Sequence, residues 1–141
     1  MTQPALLAGS RLHHIGIVVA DLDAAIATYE ALGFGEPDRF DIPEQGIRAA
    51  FFPLASGSVE IIQPTDPDGA IGRFMAKRGE GFHHVAYEVD DVDATLDRLA
   101  KDGVELIDRT HRIGGHGLWI GFLHPRAANG VLTELVQVPP A

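Results

Sequence analysis

Gly81-Phe82-His83-His84-Val85-Ala86-Tyr87-Glu88-Val89 is written twice in this chain. Its echo, Arg11-Leu12-His13-His14-Ile15-Gly16-Ile17-Val18-Val19, stands seventy positions earlier. Beyond the histidines, Asp21, Asp23, Ala24, Ile26 and Gly33 return as Asp91, Asp93, Ala94, Leu96 and Gly103 at the same offset. A second pair closes each copy: Ser58-Val59-Glu60-Ile61-Ile62-Gln63 and Leu132-Thr133-Glu134-Leu135-Val136-Gln137. Glu60 and Glu134 are seventy-four positions apart, so the second copy carries four extra residues. Each half thus offers one histidine pair near its start and one glutamate near its end.

The repeat sets the architecture. Leu12 to Val19 is short and rich in β-branched residues, which predicts a buried strand. Asp21 is an N-cap, Leu22, Ala25, Ile26 and Tyr29 recur at helical spacing, and Gly33 ends that helix. A short strand is expected over Phe34 to Phe40, then a turn at Pro43-Glu44-Gln45-Gly46. Ile47 to Leu54 and Ser58 to Gln63 form a hairpin around Ala55-Ser56-Gly57. The second copy repeats this order, with a strand to Val89, a helix from Val92 to Lys101, and strands near Val104 to Asp108, Leu118 to Leu123 and Val131 to Val138. Pro64 to Gly69 is a linker, and Ala70 to Arg78 a connecting helix.

The fold class expected is therefore α+β. Two βαβββ modules stand in tandem, residues 10–66 and 81–139, joined by 67–80. Each is too small to bury its own sheet, so the two share one open, barrel-like sheet about a pseudo-two-fold axis.

Composition bounds the chemistry. The chain has 141 residues, 45% hydrophobic and 22% charged, which is ordinary for a soluble globular protein. A net charge of -9 and a pI near 5.0 exclude a binder that tracks nucleic-acid phosphates over a basic face. The absence of cysteine removes disulfides, thiolate catalysis and sulfur-ligated zinc. The start MTQPALLAG has neither the basic region nor the apolar length of a signal peptide. No stretch reaches the ~18 apolar residues of a membrane span. A cytoplasmic protein without a membrane or nucleic-acid partner is expected.

Strand alternation sorts the histidines. His13, Ile15, Ile17 and Val19 share one apolar face, as do His83, Val85, Tyr87 and Val89. His14 and His84 point the other way, beside the small Gly16 and Ala86, which leave room for something bound. Glu60 and Glu134 face the same cavity across the symmetry. A single strand histidine is usually a packed one and a single strand glutamate usually a solvated one, but chance seldom restores both types at equivalent places. His14, Glu60, His84 and Glu134 are accordingly the candidate metal ligands. Two imidazoles with two carboxylates suit Co, Ni, Mn, Fe or Zn with open positions. Such an ion holds two substrate oxygens and stabilises an enolate.

These residues carry a resemblance. His-His-Ile-Gly-Ile-Val with Asp-Leu-Asp, then Val-Glu-Ile-Ile-Gln-Pro, Gly-Phe-His-His-Val-Ala and Gly-Val-Leu-Thr-Glu-Leu resemble the vicinal oxygen chelate (glyoxalase/bleomycin resistance) superfamily. Pro43-Glu44-Gln45-Gly46, Asp68-Gly69-Ala70-Ile71, Gly79-Glu80-Gly81, Ile113 to Gly117 and Phe122-Leu123-His124-Pro125 are similar to its methylmalonyl-CoA epimerases. The resemblance runs over residues 12 to 138 and implies the same four ligands. It also implies a reaction on an acyl-CoA: the proton between thioester and carboxylate leaves, and a proton returns to the opposite face. Inversion requires two opposed acid/base groups. Some epimerases carry a glutamate three residues after the glycine of the Glu-Gln-Gly turn, where this chain has Ala49. Glu134 is then the candidate for one base as well as a ligand, and Glu44 for the other, although a turn carboxylate in solvent is an equally ordinary reading of Glu44. Leu118-Trp119 replaces the Lys-Pro frequent in related proteins.

Weaker features are Arg126, a candidate for CoA phosphates, and Gly114-Gly115-His116-Gly117, whose backbone N–H groups suit an anion. Two rival functions remain. One is a glyoxalase I-like isomerase of thiol–aldehyde adducts using the same ligands. The other is a non-catalytic binding or resistance protein, against which the intact ligand set argues. Exposed sheet edges in such small modules make a homodimer the expected assembly.

Overall fold

A computed structural model describes residues 5–139. The first four residues of the start on which the signal-peptide expectation partly rests lie outside them. Among the described residues the elements are β1 (Leu12–Val18), α1 (Leu22–Ala31), β2 (Asp38–Ile42), β3 (Ile47–Leu54), β4 (Gly57–Pro64), α2 (Ala70–Arg78), β5 (Gly81–Val89), α3 (Val92–Lys101), β6 (Arg112–Ile113), β7 (Trp119–Leu123) and β8 (Thr133–Gln137), with short 3-10 turns at Pro43–Gln45, Gly115–Gly117 and Pro125–Ala128. The class is α+β, and the order βαβββ occurs twice.

The chain forms two compact units: His14–His84, and the segment ending at His13 together with the chain from Val85 onward. In the first unit the strand order is β2-β3-β4-β1, with β3 antiparallel to both neighbours and β4 parallel to β1. In the second it is β5-β8-β7-β6, with β8 parallel to β5 and β7 antiparallel to β8 and β6. The repeat thus survives at the level of register. Gly16 lies opposite Glu60 in one ladder, and Ala86 lies opposite Glu134 in the other. Phe51 and Phe122, seventy-one positions apart, also lie opposite the two glutamates. Three of the four extra residues therefore fall between β7 and β8, where the turn Pro125–Ala128 replaces the tight β3–β4 hairpin.

Each helix starts by the same device. Asp21 accepts from Ala24 N–H (3.1 Å) and Asp91 from Ala94 N–H (3.0 Å), as an N-cap does. The side-chain carbonyl of Gln63 then accepts from Leu22 N–H (2.8 Å), and that of Gln137 from Val92 N–H (3.0 Å). An amide at the end of the last strand of each module thus satisfies an orphan donor in the helix's first turn.

Leu22 and Ile26 of α1 bury against Ala50, Phe52, Val59 and Ile61, with Ile15 and Ile17 alongside. Tyr29 stacks on Phe52 (5.6 Å between centroids) and meets Phe34 edge-on (5.0 Å). In the second unit Val92 and Leu96 bury against Leu123 and Leu135, and Leu7 packs there too. The segment before His14 is tied to this unit by Glu88 N–H donating to the Arg11 carbonyl (2.9 Å).

Two strand expectations require correction. Phe34 belongs to the core rather than to a ladder, and the second strand begins at Asp38. Val104 to Asp108 makes only a bridge from Leu106 to Leu123, with a two-residue strand following at Arg112. The Asp108 carboxylate explains this displacement. It accepts from Phe122 N–H (2.9 Å) and from the Arg112 guanidinium (2.8 Å), so a side chain takes the one donor a regular ladder would use there, while Ile107 and Asp108 N–H both donate to the Phe122 carbonyl (3.0 and 3.1 Å).

Candidate metal centre

Alternation along β1 places the half-buried Ile15 and Ile17 with the helix-side core, and His14, Gly16 and Val18 on the opposite, more fully buried face. On β4 the same alternation turns Val59 and Ile61 towards α1 and Glu60 and Ile62 away from it. His14, Glu60 and His84 meet on that second face. They are 4%, 8% and 2% exposed, which is unusual for groups of this polarity.

The geometry is tight. His14 Nε2 and His84 Nε2 are 2.9 Å apart, and Glu60 Oε1 lies 3.7 Å from the first and 3.6 Å from the second. Three atoms so spaced lie on a circle of about 2.0 Å radius, close to an ordinary metal–nitrogen or metal–oxygen bond of about 2.0–2.2 Å. One divalent ion near the centre of that circle would reach all three donors at normal lengths.

Electrostatics agrees. Burial pushes the Glu60 carboxyl up to about 8, and burial also drives His84 well below the usual imidazole range, reinforced by His14 and His83. The metal-free cluster is thus a neutral carboxyl beside a neutral imidazole. Among the described residues no Lys or Arg pairs with Glu60, and a divalent ion held by this cluster would balance the carboxylate while displacing its proton. Two signs follow for stability. Glu60 has a folded value above its ordinary 4.5, so its contribution is complete below 4.5 and is lost as pH rises towards 8. His83, lowered by burial to about 4, and His84 act oppositely: their contributions are complete above 6.5 and lost as pH falls.

Neighbouring residues shape the wall. Phe51, opposite Glu60 on β3, sets its ring on His14 (5.1 Å) and on Phe40 (6.0 Å). Ala49, 1% exposed, shares the face of Phe51, so the position where the resemblance leads one to look for a glutamate holds a methyl group on the site side of the sheet. Gly16 has a role other than the one expected from sequence. A Cβ there would lie 2.8 Å from His84 Nε2 and closer still to Cε1 and Nδ1. The space beside Gly16 is filled by the His84 ring, not by a ligand.

The remaining candidates are placed as follows. Glu134 is 5% exposed on β8, opposite Ala86 and Phe122 in the second unit. Glu44 is exposed on the turn Pro43–Gln45 and, among the described residues, has no hydrogen bond or ion pair. Arg126 is held by both oxygens of Glu105 (3.1 and 2.7 Å), so its charge is already matched. Gly114 and Gly117 donate their N–H groups to the Leu118 and Gly114 carbonyls, so that pair is spent inside the turn. Sequence reasoning matched Gln63 with Gln137 without seeing their helix-starting role, for which the repeat itself was the available signal.

Comparison with known proteins adds to this geometry. Residues 13–122 match the family model described as Glyoxalase/Bleomycin resistance protein/Dioxygenase superfamily. The chain is 39% identical over 133 residues to the ethylmalonyl-CoA/methylmalonyl-CoA epimerase of Cereibacter sphaeroides, covering 91% of this chain and 98% of that one. It is 36% identical over 129 residues to the mitochondrial methylmalonyl-CoA epimerase of Homo sapiens, covering 90% and 73% respectively. A methylmalonyl-CoA epimerase solved in complex with methylmalonyl-CoA and NH4+ superposes with a TM-score of 0.86 at 38% identity, covering 91% of this chain and 94% of that one.

Proposed function

Since the chain belongs to the glyoxalase/bleomycin resistance protein/dioxygenase superfamily, we propose that it is a metal-dependent epimerase inverting C2 of methylmalonyl-CoA or a close 2-substituted malonyl-CoA. The observation that carries the proposal is the buried His14–Glu60–His84 cluster in a chain so similar, over nearly its whole length, to epimerases of such thioesters. Glu134 is taken as the fourth ligand, because it occupies in the second ladder the register that Glu60 occupies in the first. The two modules, 10–66 and 81–139 with 67–80 between them, then share one sheet around the ion.

When bound, the ion supplies stabilisation for the negative charge that develops on the substrate oxygens. The chain's own residues do the rest. His14, His84 and Glu60 fix the ligand geometry, and the Phe51 and Phe40 rings give the site a dry wall. Glu134 takes or returns the proton on one face of C2. Glu44, unrestrained on its turn, serves the other face, since Ala49 has no proton to exchange. The proposal includes an acyl-CoA as the substrate partner, a cytoplasmic location and a homodimer. Among the described residues no helix is long and apolar enough to cross a membrane. Size-exclusion chromatography with light scattering tests the dimer, which a 15.1 kDa species refutes.

The test of function is deuterium exchange at C2 of methylmalonyl-CoA in heavy water, with cobalt-loaded and chelated protein compared by mass spectrometry. Metal-dependent exchange with inversion is expected. No exchange by protein that demonstrably holds cobalt would refute the epimerase and direct assays to the hemithioacetals of a glyoxalase I-like isomerase. Failure to retain any metal would favour a non-catalytic binding protein.

A further inference from the structure

We infer that His83 is a positioning residue whose Nδ1 holds His84 in the one tautomer able to bind a metal ion through Nε2. The inference rests on the metal-site reading above. Of the two ring nitrogens of His84, Nε2 faces His14 Nε2 at 2.9 Å and Glu60 Oε1 at 3.6 Å, so it is the donor turned into the cluster. Nδ1 lies 2.9 Å from Nδ1 of His83. An imidazole that presents its lone pair at Nε2 carries its proton on Nδ1, and with His84 2% exposed that N–H has no solvent to meet. The His83 Nδ1 lone pair accepts it, which leaves the His83 proton on Nε2.

The opposite arrangement, with His83 donating, puts the His84 proton on Nε2, where it lies against His14 and keeps a cation out. The tautomer of His83 and the readiness of the site are therefore one choice. The geometry holds that choice in place. The two rings are perpendicular (89°) with centroids 5.1 Å apart, and Phe74 of α2 packs edge-on against His83 at 4.7 Å. Alternation along β5 predicts only a packing role for His83; the Nδ1–Nδ1 contact runs around the backbone, between the ring atoms nearest to it. Gly16 lies against the His84 ring while His83 fixes its Nδ1, so the ligand is held from two directions. Residues that orient a ligand histidine in this way contribute to metal affinity without touching the ion.

The test uses the full chain and cobalt(II), titrated calorimetrically into chelator-treated protein. His83→Phe keeps a ring against Phe74 and removes the acceptor; His83→Asn gives up the ring and restores an acceptor oxygen near the place of Nδ1. The expected result is a 10- to 100-fold loss of cobalt affinity in His83→Phe with substantial recovery in His83→Asn. Circular dichroism of both metal-free variants should match the parent. Long-range proton–nitrogen NMR of the zinc-loaded parent should place the His84 proton on Nδ1. Parent-like cobalt affinity in His83→Phe, or no advantage of His83→Asn over it, would overturn the inference and leave the metal site standing. A parent chain that binds no cobalt would overturn both.

Discussion

Replacing Gly16 with alanine adds a single methyl group, and the structure says where it goes. Gly16 sits within β1, opposite Glu60, and its φ is not in the left-handed region, so alanine fits the backbone. The Cβ does not fit the space, since three atoms of the His84 ring lie within 2.8 Å of it. Reaching an ordinary carbon contact of about 3.5 Å from Cε1, the nearest ring atom, moves the ring by well over an ångström. That is more than twice the 0.5 Å or so within which a ligand set keeps its geometry. His84 cannot shift that far and still hold Nε2 at 2.9 Å from His14 and Nδ1 at 2.9 Å from His83.

Two magnitudes follow, and they separate. Overpacking costs about 1–3 kcal/mol of stability, partly offset by about 0.4–1 kcal/mol from the stiffer unfolded chain. Cobalt affinity should fall at least 10- to 100-fold, the range seen when a ligand's orientation is lost, or about 1.4–2.8 kcal/mol. Calorimetric titration and the visible spectrum of bound cobalt read the second effect, and thermal unfolding of metal-free protein reads the first. Gly121→Ala is the control. Its Cβ meets the flexible end of Leu96 at 2.7 Å, so it overpacks a core without touching a ligand, and cobalt binding should survive. Gly16→Ala protein that takes up cobalt with the parent's affinity and spectrum would refute the reasoning.

Chelator-treated protein should lose stability between pH 6.5 and 8, where buried Glu60 keeps a proton that the unfolded chain has already released, at up to about 1.4 kcal/mol per pH unit in urea unfolding. Glu60→Gln should flatten that slope, and an unchanged slope would show that another group carries it. Phe52→Ala, removing a ring that is 0% exposed in the α1 core, should cost about 3–5 kcal/mol in denaturant unfolding. Gln63→Ala and Gln137→Ala should each cost about 1 kcal/mol, since each strands a backbone donor at a helix start; effects below a few tenths would mean that water replaces the amide.

What the sequence made legible was whatever the repeat and the strand period could carry. Doubling of the histidine pair and of the glutamate pointed to two βαβββ modules, and period-2 alternation separated His14 from Ile15 and Glu60 from Ile61. The misses share one physical origin: a side-chain contact that no local pattern contains. Gly16 reads as room for a ligand because a glycine marks space, not its occupant, and the occupant is a ring sixty-eight positions later. Val104 to Asp108 reads as a strand because its residues favour one, yet a carboxylate takes the backbone donor that a ladder would have used. Arg126 reads as a phosphate contact until Glu105, twenty-one positions earlier, closes on it. His83 is the sharpest instance. Alternation assigns it rightly to the face away from the ligands, but hydrogen bonding between adjacent rings is not bound by the pleat. A residue placed by pattern on the packing side can therefore still govern the metal side, which is why its substitution belongs among the first experiments rather than the last.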